Sequence, residues 1–238
     1  MPFNRYILPI ASTLIVSMLL TVNTQADDQT EKKAAGEKAS SKSDSGTATA
    51  TSGTPKIDGE VDEIWKNAKA VKVAKPIEGL LLIDEEDMAT ATVKLLWDKD
   101  HLYALWRVTD PKLSADGDNP WEHDSVELFV DQNKKATAFY EDDDAQYRVS
   151  YKSELSGQGE GYDVKNIKAK AKATKKGYLV EMAIKIKNTE LKPDAKLGLE
   201  LQLNDNSGDA TRAAVAKWHH TEDDSWESTS DFGTLLIK

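Results

Sequence analysis

Leu197-Gly198-Leu199-Glu200-Leu201-Gln202-Leu203-Asn204 repeats with a period of two. In an extended strand that period puts Leu199, Leu201 and Leu203 on one face and Glu200 and Gln202 on the other, with Asn204 following on the polar side. A helix would gain no apolar stripe from this pattern, so the stretch reads as a half-buried strand. Working outward, eight more stretches are short, apolar-rich and bounded by turn chemistry: Ala91 to Trp97, Leu102 to Val108, Ser125 to Asp131, Gln146 to Lys152, Val164 to Thr174, Tyr178 to Lys185, Ala213 to Trp218 and Gly233 to Ile237. Asp98-Lys99-Asp100 separates the first two, and Lys175-Lys176-Gly177 suits a hairpin. Only Asp62 to Ala70 suggests a helical turn or two. Many strands without alternating helices predict an all-β, antiparallel β-sandwich, jelly-roll-like in outline.

The sandwich is expected to occupy residues 54–238. Ahead of it, Met1 to Arg5 carries one positive charge, Tyr6 to Val22 is apolar, and Thr24-Gln25-Ala26 offers small residues for cleavage, the layout of a secretory signal peptide over 1–26. An uncleaved anchor is the alternative, because the apolar run approaches the ~18 residues that span a bilayer. Residues 27–53 are rich in Lys, Glu, Ser, Thr, Ala and Gly without an aromatic residue, the composition of a flexible linker. With no cysteine in the chain, an exported domain relies on its core and on any bound metal. A net charge of −10 argues against nucleic acid and anionic membrane as partners, and permits neutral sugars and divalent cations.

Trp65, Trp97 and Trp106 stand in apolar surroundings and read as core, whereas Trp218, at a strand end, is open. Trp121 and Trp226 are different. Trp121 lies within Asp116-Gly117-Asp118-Asn119-Pro120-Trp121-Glu122-His123-Asp124, and Trp226 follows Glu222-Asp223-Asp224-Ser225. Large rings in acidic, turn-forming sequence point outward to a ligand rather than inward to a core. Strand parity adds a floor. Val126, Leu128 and Val130 share a face, leaving Glu127 with Phe129 on the other; Tyr147, Val149 and Tyr151 likewise leave Arg148 with Gln146 and Ser150. If these strands and Leu197 to Leu203 share a sheet, Glu127, Arg148 and Gln202 lie together, with the two tryptophans at the rim. The bland alternative is a solvated cross-strand ion pair worth under ~1 kcal/mol.

Several stretches carry a family resemblance. They are Asp58-Gly59 through Trp65, Leu96-Trp97-Asp98 with Leu102-Tyr103, Asn119-Pro120-Trp121 with Asp124 through Asp131, Tyr140 through Val149, Gly177-Tyr178 with Val180-Glu181, Gln202 with Asn204-Asp205, Ser225-Trp226 and Phe232-Gly233. In this order they resemble family 9 carbohydrate-binding modules, most of all those appended to family 10 xylanases. The resemblance implies a non-catalytic β-sandwich that clamps the reducing-end sugar of cellulose or xylan chains, or of oligosaccharides, between two tryptophans. Trp121 and Trp226 match the clamp, and Glu127, Arg148 and Gln202 match the residues that hydrogen-bond the sugar. Where the family pattern has a sugar-contacting asparagine, this chain has Asp223, which accepts hydrogen bonds but cannot donate them. The resemblance also implies structural calcium, with acidic residues at Asp110 and Asp124; oxygen ligands of this kind suit that ion.

Other readings are weaker. A glycosidase needs two carboxylates at a defined separation, yet the sandwich uses the whole domain, and neither barrel alternation nor a GxSxG motif is present. A separate glycoside hydrolase is the expected partner, so hydrolase association is an alternative description. His101, His123, His219 and His220 lack zinc-site spacing. A haem-binding relative of the sandwich would require an axial pair such as histidine with methionine; Met88 lies in an acidic loop, and Met182 shares an apolar face with Val180 and Ile184. Secretion is the expected localisation.

Overall fold

A computed structural model describes residues 46–77, 83–84 and 88–238. The signal peptide and the spacer as far as residue 45 lie outside the described residues. The strands are β1 (Thr47–Ser52), β2 (Ala70–Val73), β3 (Lys75–Pro76), β4 (Thr90–Trp97), β5 (His101–Thr109), β6 (Ser125–Asp131), β7 (Asp144–Ser150), β8 (Leu155–Gln158), β9 (Ile167–Thr174), β10 (Gly177–Lys185), β11 (Lys196–Asp205), β12 (Ala214–Lys217) and β13 (Gly233–Ile237). Short 3-10 turns cover Glu63–Asn67, Pro120–Glu122 and Val164–Asn166. The helical expectation at Asp62 to Ala70 reduces to the first of these.

One sheet runs β8-β7-β6-β11-β13, with β12 on β11 and β3 on β12; the other runs β4-β5-β10-β9, with β2 on β4. Strand β1 joins them, pairing in parallel with β13 and with β4. All other pairings are antiparallel. The linker expectation over 27–53 is therefore corrected at its end: Thr47–Ser52 is a strand. Its alternation, Thr-Ala-Thr-Ala-Thr-Ser, buries Ala48 and Ala50 against the core, where only small side chains are presented.

The sheets face each other across one core. Val126, Leu128 and Val130 of β6 and Leu199, Leu201 and Leu203 of β11 meet Val93 and Leu95, Trp106, Val180 and Met182 from the opposite sheet. Trp97 and Trp218 belong to this core as well, while Trp65 anchors a smaller cluster with Ile57, Leu96, Tyr103 and Leu105 on the far face of the second sheet. Trp65 also donates its indole N–H to Glu181 at 3.2 Å. Among the strands missed in the sequence, β2, β3 and β8 have four residues or fewer, too short to show a period.

Candidate functional site

Register makes the site. Across the first sheet, Arg148 sits opposite Glu127, Glu127 opposite Gln202, and Gln202 opposite Lys217. A second row, Gln158–Gln146–Phe129–Glu200, lies beside it. Both rows point away from the core, since the alternate residues on each strand are the core leucines and valines. All but Gln158 are nevertheless buried.

Glu127 is fully buried and is met from three sides. Its carboxylate accepts from Arg148 Nε at 2.6 Å and Asn204 Nδ2 at 2.6 Å, and also from Gln146 Nε2. Burial pushes this carboxyl up, but the Arg148 charge and the donated hydrogen bonds outweigh it and hold the group below its ordinary value. Arg148 extends to Ser156 Oγ at 3.2 Å, and Gln202 donates to Asn204 Oδ1 at 2.9 Å. The outcome is a preorganised polar floor with little freedom to rearrange.

Trp121 stands on the 3-10 turn Pro120–Glu122. A capping box closes this turn: the Asn119 N–H donates to Glu122 Oε2 at 2.8 Å, and the Asn119 side chain caps in return. Gly117, at φ +129, lets the loop pass Glu122; a Cβ there would approach Glu122 Cβ to 2.8 Å. Asn206 Nδ2 fastens the loop further through Asp116 O at 2.7 Å and Glu122 O at 2.6 Å.

Trp226 stands on the loop between β12 and β13. Lys217, completely buried, donates to Glu222 O at 2.6 Å and Ser225 Oγ at 2.7 Å. Burial depresses its pKa, partly offset by the Asp223, Glu200 and Glu127 charges. Tyr140 Oη donates to Ser225 O at 2.6 Å, and Gln158 Nε2 to Trp226 O at 2.6 Å. The indole N–H of Trp226 is taken up by Asp223 O at 3.0 Å, so its face is what it offers a ligand.

The two rings are 46% and 49% exposed, unlike the four other tryptophans, which are buried. Trp121, Glu127, Arg148, Gln202, Asp223 and Trp226, the six candidates from the sequence, all line one slot of about 340 Å³. That is the lower end of ligand-pocket size, about 300–1,000 Å³. Gln146, Gln158, Phe129 and Arg212 complete the lining. Of these, Gln146 and Phe129 lay on the faces assigned by parity. Arg212 arrives from the loop ahead of β12 and Gln158 from the unrecognised β8, where no local pattern pointed to them.

Asp223 is not free in the slot: Arg212 Nη2 donates to it at 2.8 Å, and Arg212 Nη1 reaches Asn204 Oδ1 at 3.1 Å. The donor that an aspartate lacks is thus supplied by the guanidinium beside it.

At the base of the Trp121 loop, Asp110, Asp124 and Asp205 are all buried, with a carboxylate oxygen of each within 4.8 Å of the others. Asp205 belongs with the two acids singled out from the sequence. Asp124 accepts from Ser114 N at 2.5 Å and Asn206 N at 2.7 Å, whereas Asp110 Oδ2 has no partner. Burial and mutual repulsion push Asp110 and Asp124 up, and burial alone raises Asp205. The buried hydroxyl of Tyr178, whose pKa these three acids help to raise, is also without a partner. Lys112 N donates to Asp110 Oδ1 at 2.8 Å and Ala89 N to Asp205 Oδ2 at 2.6 Å. Three oxygen ligands and an open lone pair fit a hard divalent ion. A second triad, Asp131, Asp143 and Asp144, likewise accepts from backbone N–H groups, those of Ala136, Asn133 and Glu141 at 3.0, 2.7 and 2.7 Å, which shape the β6–β7 loop. Met182, weighed as an axial haem ligand, packs between the sheets.

Comparison with known proteins agrees with this geometry. Residues 57–238 match the family model described as carbohydrate family 9 binding domain-like. Endo-1,4-beta-xylanase A of Thermotoga neapolitana is 43% identical over 192 residues, which cover 80% of this chain and 18% of that enzyme. The exoglucanase XynX of Acetivibrio thermocellus is 41% identical over 190 residues, 80% of this chain and 17% of that one. The chain thus spans less than a fifth of these relatives. Among solved structures, a family 9 carbohydrate-binding module from Caldicellulosiruptor kristjanssonii in complex with cellotriose superposes with a TM-score of 0.74 at 30% identity, covering 81% of this chain and 93% of that one. A glucose complex of a family 9 module from the same organism gives 0.73 at 30%, with 81% and 95% covered. The slot, the fold and these matches agree: the chain belongs to carbohydrate-binding module family 9.

Proposed function

We propose that this module binds the reducing-end sugar of cellulose or xylan chains, or the corresponding oligosaccharides, between Trp121 and Trp226. The observation that carries the reading is the pairing of two half-exposed rings with a buried, hydrogen-bonded floor in one small slot. Ring faces stack on the C–H faces of a pyranose, while Arg148, Gln202 and Arg212 donate to its hydroxyls and Asp223 accepts. Glu127 acts mainly by fixing Arg148, Gln146 and Asn204. A slot walled on two sides suits a chain end more than a mid-chain residue. A sugar lacking the matching hydroxyl leaves a buried group unpaired, at about 1–3 kcal/mol. The module acts without catalysis, as a secreted binder serving a glycoside hydrolase; the xylanase relatives, of which it resembles only a small part, support that association.

Calorimetric titration of the full chain with cellobiose and xylobiose, each beside its borohydride-reduced form, tests the reading. Binding lost on reduction, and lost in both Trp121→Ala and Trp226→Ala, is the expected result. Equal heats from native and reduced sugars would remove the end-specificity.

A structural calcium ion is the second element of the reading. Asp110, Asp124 and Asp205 hold it, and the unpartnered Asp110 oxygen and Tyr178 hydroxyl support that placement. The ion neutralises the triad and braces the loop that ends in Trp121.

A further inference from the structure

Phe139 is 77% exposed, the most exposed large apolar side chain among the described residues. It is not on a free segment. Thr137 Oγ donates to Phe139 O at 2.8 Å, Tyr140 N to Glu227 O at 3.1 Å, Thr137 N to Thr229 Oγ at 3.0 Å and Thr229 N to Thr137 O at 2.9 Å. The β6–β7 loop is thereby sewn to the loop carrying Trp226 on both sides of Phe139. A ring presented to water on backbone pinned this way loses burial that a looser loop would recover, and a fixed exposed apolar surface marks a contact site.

Phe139 does not stand alone. With Tyr140, Gln158, Glu160, Tyr162 and Trp226 it lines an open groove of about 560 Å³. Gly159, at φ +97, permits its shape: a Cβ there would meet the Tyr140 ring at 2.8 Å. Gln158 and Trp226 line both this groove and the Trp121–Trp226 slot, so the two are continuous around one tryptophan. Aromatic faces with an amide and a carboxylate suit a neutral hydroxylated ring, stacked below and hydrogen-bonded at the edge. Glu160 and the adjoining Glu227 oppose an acidic sugar by like charge.

We propose that this groove is an accessory subsite for a neutral pyranose of the polysaccharide, with Phe139 as its stacking platform. It rests on the reading of the Trp121–Trp226 slot as the sugar site. The pyranose comes either from further along the clamped chain or from a neighbouring chain of the solid polysaccharide, and the two sources separate by experiment.

Affinities of the full chain, Phe139→Ala and Phe139→Tyr are measured for cellobiose and xylobiose, for the matching hexasaccharides, and for insoluble cellulose and xylan. Phe139→Ala binds the disaccharides as the parent does but loses about two- to tenfold on longer ligands, and Phe139→Tyr recovers the loss. A loss already visible with hexasaccharides identifies the clamped chain as the source; a loss confined to the solids identifies a neighbour. Parent-like affinity of Phe139→Ala for every ligand overturns the subsite while leaving the slot intact. A parent that binds no sugar at all overturns the slot reading and the subsite together.

Discussion

Arg212 bridges Asp223 at the rim of the slot, at 2.8 Å, to Asn204 in its floor, at 3.1 Å. The acid that replaces the asparagine of the resembled pattern therefore arrives with a cation attached. Arg212→Ala should weaken binding of cellobiose about tenfold, in line with about 1.5–3 kcal/mol for a hydrogen bond to a charged group. Asp223→Asn should stay within about threefold of the parent, since the amide regains a donor while losing the ion pair. In the double variant the loss should be smaller than in Arg212→Ala alone, because no carboxylate is left uncompensated. Additive losses would show that the pair does not act as a unit.

Glu127 sets the acid limit of the floor. Its carboxyl is held below the ordinary 4.5 against the pull of burial. A depressed acid contributes stability that is present above the unfolded value and lost as pH falls through the folded one. Sugar affinity should consequently be flat from neutral pH down to about the ordinary glutamate range. Glu127→Ala should cost about 3–5 kcal/mol in urea unfolding, the penalty for stranding the buried Arg148. A binding curve that already falls at pH 6 would point to another titrating group.

Lys217 is a peg for the Trp226 loop. In Lys217→Met the Glu222 carbonyl and Ser225 hydroxyl lose their donor, and stability should drop by about 1–3 kcal/mol. Sugar affinity should fall with it, as Trp226 loses its seat. The pH dependence separates charge from packing. Burial depresses the folded pKa below the 10.5 of the free side chain. Between those values the unfolded chain binds the extra proton, so parent stability rises with pH across that window. Lys217→Met should lack that rise; an identical slope would show that Lys217 titrates alike in both states.

The Asp110–Asp124–Asp205 triad predicts a metal response. Calcium should raise the melting temperature and a chelator should lower it, with Asp124→Asn blunting both effects. These acids are raised in the absence of metal. Acids raised on folding contribute stability that is present at low pH and lost as pH climbs through their folded values. The increment from calcium should therefore grow from pH 5 to pH 8, as protons stop competing for the oxygens. Scanning calorimetry with and without the ion reads this directly.

The floor was legible because β6 and β11 alternate so strictly that Glu127 and Gln202 could occupy only the face opposite the leucines and valines. Trp121 and Trp226 were legible because turn-forming acidic sequence offers a ring no core to enter. Lys217 and Arg212 were not. Lys217 sits in Ala214–Lys217, a four-residue strand whose neighbours are also buried, so parity carried no sign of its role. Arg212 comes from a loop, and its partners Asn204 and Asp223 are brought near only by the folded chain. Asp205 carries part of the resemblance beside Asn204, but its grouping with Asp110 and Asp124 was not legible, because those partners are distant in sequence. Strand β1 was hidden by its small residues, which resemble a spacer until they are seen fitting a narrow seam.

That seam ties the start of the described chain to both sheets. The match to the family model begins at residue 57, whereas strand hydrogen bonding begins at Thr47. A fragment cut at Thr54 or Ile57 would strip β13 of one neighbour and β4 of another, leaving raw edges ready to recruit strands from other molecules. Aggregation of such a fragment would reflect a missing seam, not a defective sugar slot.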